Sequence, residues 1–212
     1  MYTQNKQRYR RHLGADRSLL LAALVSITSF AISLTAHADA DEASVSDLHP
    51  AKQTTLGLYV TAAEAYAMWQ AAPDKIKIVD VRTPEEFIFV GNADMAWKIP
   101  IATQSDQWDA EKQQFPMQLL PDFVERVQEV AEPDDTLLVM CRSGGRSAMA
   151  VNLLAKAGFN KVYTITDGME GDKVKDPNSV FDGKRLVNGW KNSGLPWTYD
   201  VDPELMVLPA KD

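Results

Sequence analysis

The sequence predicts an α/β domain built on a central, mainly parallel sheet. Short apolar runs of strand length alternate with segments of helical spacing, the helical segments carry start signals, and proline or glycine punctuates the ends. Strands separated by helices favour parallel pairing, because a parallel neighbour needs a crossover long enough to hold a helix.

In chain order, Thr61 followed by Glu64 is a capping box. It opens a helix through Ala65, Tyr66, Met68 and Trp69 that stops at Pro73. Residues 76–81 read as a buried strand ending in Asp80-Val81-Arg82. Thr83-Pro84-Glu85-Glu86 opens a second helix, with a Thr cap, proline at the first helical position and acids where the helix dipole favours them. Residues 96–99 are a strand candidate closed by Pro100, and 104–118 a polar insertion for which Trp108 and Phe115 are the expected anchors. Phe123, Val127 and Val130 have helical spacing. Residues 136–140 form a buried strand running into Cys141, 147–157 a helix ended by Gly158, and 162–165 a last strand. Trp69, Trp97, Trp190 and Trp197 are expected in the core.

The flanks differ from this body. Lys6, Arg8, Arg10, Arg11 and Arg17 precede an apolar run over 19–34 and then Ala36-His37-Ala38, the order of a secretory signal peptide with its cleavage site. Residues 1–38 are therefore expected to be removed and the protein exported, to a bacterial periplasm. An uncleaved anchor is the alternative, since the run approaches spanning length, but four Ser and Thr residues dilute it. Arg10-Arg11 admits a twin-arginine route, although Gly14 stands where an apolar residue is usual. Residues 39–55 read as a flexible lead-in, 56–200 as the domain and 201–212 as a C-terminal tail.

Charge and rare residues narrow the chemistry. Loss of 1–38 takes away five basic residues and one acidic one, lowering the formal charge from −7 to −11. So acidic a chain argues against nucleic acid or anionic lipid as a partner, and no later stretch is apolar enough to hold the mature chain in a membrane. His12, His37 and His49 precede the domain, which excludes a Cys/His metal site or a histidine triad from it. No metal or cofactor is implied. Cys141, the single cysteine, is a reactive thiol, an intermolecular partner or an inert core residue.

Its neighbours favour the first. In such sheets ligands sit beyond the carboxyl ends of the strands, where Cys141 falls. In Cys141-Arg142-Ser143-Gly144-Gly145-Arg146 a strand end turns through two glycines into a helix, so amides and the helix N-terminus converge on the sulfur and stabilise negative charge there. Arg142 and Arg146 add two cations. The loop can raise a nucleophile without a histidine.

Two motifs in this order, Asp80-Val81-Arg82-Thr83-Pro84-Glu85-Glu86-Phe87 and Cys141-Arg142-Ser143-Gly144-Gly145-Arg146-Ser147, resemble the signature and active loop of rhodanese domains. The resemblance covers about residues 55–200, including Gly168, Gly189-Trp190 and Gly194-Leu195-Pro196-Trp197. It implies a three-layer α/β/α domain and a thiosulfate or persulfide sulfurtransferase. By that resemblance Cys141 is nucleophile and persulfide carrier, and the amides of Arg142, Ser143, Gly144, Gly145 and Arg146 cradle the outer sulfur. Arg146 braces the loop and Arg142 faces an anionic donor. Asp80 and Arg82, with Ser147, support the loop, through hydrogen bonds and an ion pair with Glu86. The acceptor is a thiol or cyanide, and a protein acceptor is compatible.

One segment departs: where rhodanese domains carry Gly-His-Ile-Pro-Gly-Ala, this chain has Gly91-Asn92-Ala93-Asp94-Met95-Ala96. The stretch 170–183 is longer and more polar than a minimal domain needs, and is expected to form a rim over the site or a partner surface. Two other readings compete. A phosphatase or arsenate reductase on the same fold is disfavoured by the Cys-x4-Arg spacing, one short of the Cys-x5-Arg of the protein phosphatases that resemble it. A non-catalytic sulfur-sensing or docking module is disfavoured by the presence of the cysteine and both arginines.

Overall fold

Residues 48–209 are described in the structure, a computed structural model. The expected signal segment and most of the lead-in lie outside the described residues. Elements follow as β1 (Tyr59–Val60), α1 (Ala62–Ala71), β2 (Ile76–Asp80), α2 (Pro84–Phe89), β3 (Trp97–Lys98), β4 (Ala102–Gln104), β5 (Met117–Leu119), α3 (Phe123–Gln128), β6 (Thr136–Met140), α4 (Gly145–Lys156) and β7 (Val162–Ile165). The central sheet runs β1-β7-β6-β2-β3 and every pairing in it is parallel, while β4 and β5 form a small antiparallel pair.

Alternation along the strands builds three layers. On β2 and β6, Val79, Leu137 and Val139 face one side, packing with Phe123 and Val127 of α3 and Val151 and Leu154 of α4. Ile78, Leu138 and Met140 face the other, with Ala62 and Ala65 of α1 and the fully buried Trp190. Strands buried on both faces read as unbroken apolar runs, which is why β6 was visible as Leu-Leu-Val-Met. Among the described residues no helix is long and apolar enough to cross a membrane.

The capping box expected on α1, Thr61 with Glu64, forms, and so does the expected Thr83 cap on α2, where Glu86 completes a second capping box. α4 starts at Gly145, earlier than the expected 147, because Gly144 adopts the left-handed conformation and serves as the helix N-cap. The insertion over 104–118 is held by pairing of β4 with β5, and Trp108 and Phe115 meet each other edge to face at 5.1 Å. Both rings are exposed, so they do not anchor the insertion to the core.

The described parts of the lead-in and tail pack on the domain. The lead-in was expected to be flexible to residue 55, yet Pro50–Lys52 forms a 3-10 turn, Lys52 Nζ pairs with Asp172 at 3.2 Å, and the Thr55 amide donates to Asn152 Oδ1 on α4 at 2.8 Å. The expected tail also packs. Met206 pairs beside Lys98, the Val207 amide donates to the Lys98 carbonyl at 3.1 Å, and Arg126 Nη1 donates to the Val207 carbonyl at 3.2 Å. β3 is a sheet edge, and its open backbone groups take these partners from the tail. Trp197 is likewise not core: it is 37% exposed, with Lys191 Nζ 3.8 Å from its ring centre.

Candidate active site

Cys141 follows the last residue of β6, in the middle of the sheet, so its side chain emerges where the carboxyl ends of the parallel strands meet the N-terminus of α4. The turn is short because Gly144 takes φ +100. A Cβ there would collide with the Thr166 carbonyl oxygen and lie 3.0 Å from Lys52 Cδ, so glycine is required by space as well as by conformation. Gly145 differs from the expectation: its φ is not positive and a Cβ would meet only Ala51 O at 3.9 Å. One of the two glycines makes the turn.

The Gly144 amide donates to Cys141 Sγ at 3.2 Å, the thiol donates to Ser147 Oγ at 3.6 Å, and Ser147 Oγ donates back to the Gly144 carbonyl at 2.9 Å. The thiol is held between the turn and the first turn of α4, and Cys141 is only 1% exposed. Of the loop amides, that of Gly144 is the one hydrogen-bonded to the sulfur. The Ser143 hydroxyl has no hydrogen-bond partner among the described residues.

The two arginines are placed differently. Arg142 is exposed and its Nε pairs with Glu170 Oε1 at 3.1 Å. Arg146 is mostly buried and directs both terminal nitrogens at Glu86, at 2.6 and 2.7 Å. Burial opposes charge on both partners of this second pair, but their attraction prevails: the Glu86 carboxyl is held below its ordinary range and the Arg146 guanidinium above its own. Glu86 Oε2 also accepts the Thr83 amide at 3.0 Å, so one carboxylate caps α2 and clamps the loop helix.

This corrects the sequence expectation that Glu86 pairs with Arg82. Arg82 turns instead to Asp80, with Nε 3.0 Å from Oδ1 and Nη2 2.7 Å from Oδ2, and Nη2 also donates to the Gly91 carbonyl at 2.8 Å. Burial opposes the Arg82 cation, and Asp80 outweighs it and raises the pKa. The pair is fully buried at the end of β2, where the Val81 amide donates to the Met140 carbonyl beside Cys141. Asp80 and Arg82 thus stiffen the neighbouring strand end and do not touch the sulfur.

Four residues after β7 that support the turn were not identified as site residues. Gly168 lies under the loop: a Cβ there would come within 2.5 Å of Cys141 O. The amides of Met169 and Glu170 donate to the carbonyls of Cys141 and Arg142. Asp167, buried, accepts from the Ala62 and Gly189 amides, and burial raises its pKa despite those bonds. A glycine just after the last strand was the only local signal. Asn92, in the segment that departs from the rhodanese pattern, is buried and donates from Nδ2 to the carbonyls of Thr198 and Asp200, tying down the C-terminal segment.

A buried thiol at the end of a central parallel strand, turned by one glycine onto a helix N-terminus and flanked by two arginines, defines a cysteine-loop α/β domain. The sequence model of the rhodanese-like domain matches residues 61–174, and the chain belongs to that family. It is 31% identical over 122 residues to the uncharacterised protein RP600 of Rickettsia prowazekii, covering 58% of this chain and 82% of that one. It is 37% identical over 120 residues to thiosulfate sulfurtransferase 16 of Arabidopsis thaliana, a chloroplast protein, covering 57% and 78%. The crystal structure of Rv0390 from M. tuberculosis superposes with a TM-score of 0.51 at 26% identity, over 66% of this chain and 96% of that one.

Proposed function

We propose that the chain is a sulfurtransferase that carries sulfane sulfur on Cys141. The observation that carries this reading is the lone cysteine of the chain, seated against an amide and a hydroxyl at the sheet's carboxyl end, in a turn that also carries Arg142 and Arg146. The thiolate attacks the outer sulfur of thiosulfate, the S–S bond to the sulfonate breaks, and sulfite leaves with the electron pair. The Cys141 persulfide that remains is attacked at its outer sulfur by an acceptor thiolate or cyanide, which departs as a persulfide or thiocyanate and returns the thiolate. No net oxidant is needed.

The commitment of Arg146 to Glu86 supports this over phosphate or arsenate chemistry, which would require that arginine to face an oxyanion. The likeness to a protein named thiosulfate sulfurtransferase supports the donor class. Intact mass after incubation with thiosulfate tests the reading: one added sulfur atom on the wild type, removed by cyanide with release of thiocyanate, is expected. No retained sulfur and no thiocyanate would overturn it.

The order of basic, apolar and small residues across 1–38 further supports export before this chemistry takes place.

A further inference from the structure

The family match ends at residue 174, just inside a loop whose base is fastened to the active turn. The Glu170 amide bonds the Arg142 carbonyl, Asp172 pairs with Lys52, and Gly171 packs so closely on Asn188 that a Cβ at Gly171 would collide with the Asn188 carbonyl. Arg185 Nη1 donates to the Gly171 carbonyl at 2.6 Å, closing the loop from its far side. The base of the loop is thereby held against the turn that carries Cys141.

The surface of this loop contrasts with the rest of the chain. Residues 173–187 hold four basic and two acidic side chains in a chain of formal charge −7, which leaves −9 elsewhere. Lys173, Lys175 and Lys184 are exposed and have no ion-pair partner among the described residues. Both acids are used internally, Asp182 Oδ1 accepting the Asp176 amide and Asp176 Oδ1 the Asn178 amide, each at 3.0 Å. Exposed apolar side chains accompany the lysines: Val180, 87% exposed, and Phe181 between Lys175 and Lys184, and Leu186 and Val187 just after Lys184. Apolar residues rimmed by unpaired charge of one sign mark an interaction surface.

We propose that this loop docks an acidic protein carrying an apolar residue beside a cysteine, which exchanges sulfur with Cys141. The proposal rests on the sulfurtransferase reading and names its physiological acceptor class. Charge complementarity selects the partner. An anionic bilayer would also attract three lysines, but it repels a chain whose charge outside the loop is −9, whereas a protein can touch the loop alone. The burial of Cys141 points the same way, since a thiol presented from a docked segment reaches it in a fixed pose.

The test uses a synthetic peptide with one cysteine flanked by leucine and glutamates, and its counterpart with glutamines for the glutamates. The persulfide-loaded wild type should transfer sulfur to the acidic peptide with kcat/KM about tenfold above the neutral one at low salt, a preference lost at high salt. The triple variant Lys173→Glu, Lys175→Glu, Lys184→Glu should reverse the preference, and Val180→Ser with Phe181→Ser should weaken both peptides, while cyanide turnover stays unchanged. Equal rates with the two peptides, or a preference indifferent to the lysines, overturns the proposal. So does tight binding to phosphatidylglycerol vesicles without peptide preference, which would assign the loop to a membrane. If no variant transfers sulfur, the enzymatic reading has failed; calorimetry with the serine forms of both peptides then decides the surface by itself, tighter binding of the acidic form supporting it and equal binding overturning it.

Discussion

Serine at position 141 retains an acceptor for the Gly144 amide and a donor for Ser147, and is close in size to the cysteine it replaces. Cys141→Ser should therefore fold with a melting curve near that of the wild type, yet hold no sulfur and form no thiocyanate, because a hydroxyl neither ionises at neutral pH nor forms a persulfide. Mass spectrometry and thermal melting together check both halves; residual turnover in this variant would remove Cys141 from the mechanism. Arg142, unlike the buried Cys141, is exposed and can meet a donor, but its charge is shared with Glu170. Arg142→Ala should lower kcat/KM for thiosulfate by about 1 kcal/mol and leave a neutral organic polysulfide almost unaffected. Glu170→Gln should move thiosulfate the opposite way. Parallel losses for both donors would end the assignment.

Two elements are joined at the site through single residues. The turn from β6 to α4 depends on Gly144, where Ala would face both a positive φ and the Thr166 carbonyl, a cost on the order of 3 kcal/mol. Gly145→Ala, with space for its methyl, should change stability by no more than about 1 kcal/mol, and denaturant titration of the two variants separates them. The second junction, α2 to α4 through Glu86 and Arg146, is sensitive to acid. Since the folded state depresses the Glu86 pKa below its ordinary 4.5, its contribution is fully present above that value and is lost as pH falls through the folded value. Glu86→Gln should cost roughly 1.5–3 kcal/mol at neutral pH, and the gap to wild type should narrow as melting is followed below pH ~4.5. A gap of constant size across that range would show that the carboxylate's charge is not what joins the helices.

At the scale of the whole chain, export predicts that protein recovered from the periplasmic fraction begins at or just after Asp39. N-terminal sequencing checks this, and full-length protein held in the membrane fraction would replace cleavage with anchoring. The layered architecture and the position of the Cys141 turn were legible in the chain because they rest on local rules. A strand buried on both faces shows itself as Leu137 to Met140, the Thr61–Glu64 capping box lies within four residues, and Cys141 lies where such a strand must turn. Side-chain partnerships were not legible in the same way. Glu86 is four residues from Arg82 and sixty from Arg146, yet it binds the distant one, because Asp80 occupies the near guanidinium and α4 brings the other alongside. Likewise the pairing of the tail with β3 and of Lys52 with Asp172 exists only once the sheet edge and the loop base are in place. Backbone periodicity is written in neighbouring residues and the sequence by itself determined it; a charged group takes whichever opposite charge the packed elements carry to within hydrogen-bond reach, and only the tertiary structure decided that.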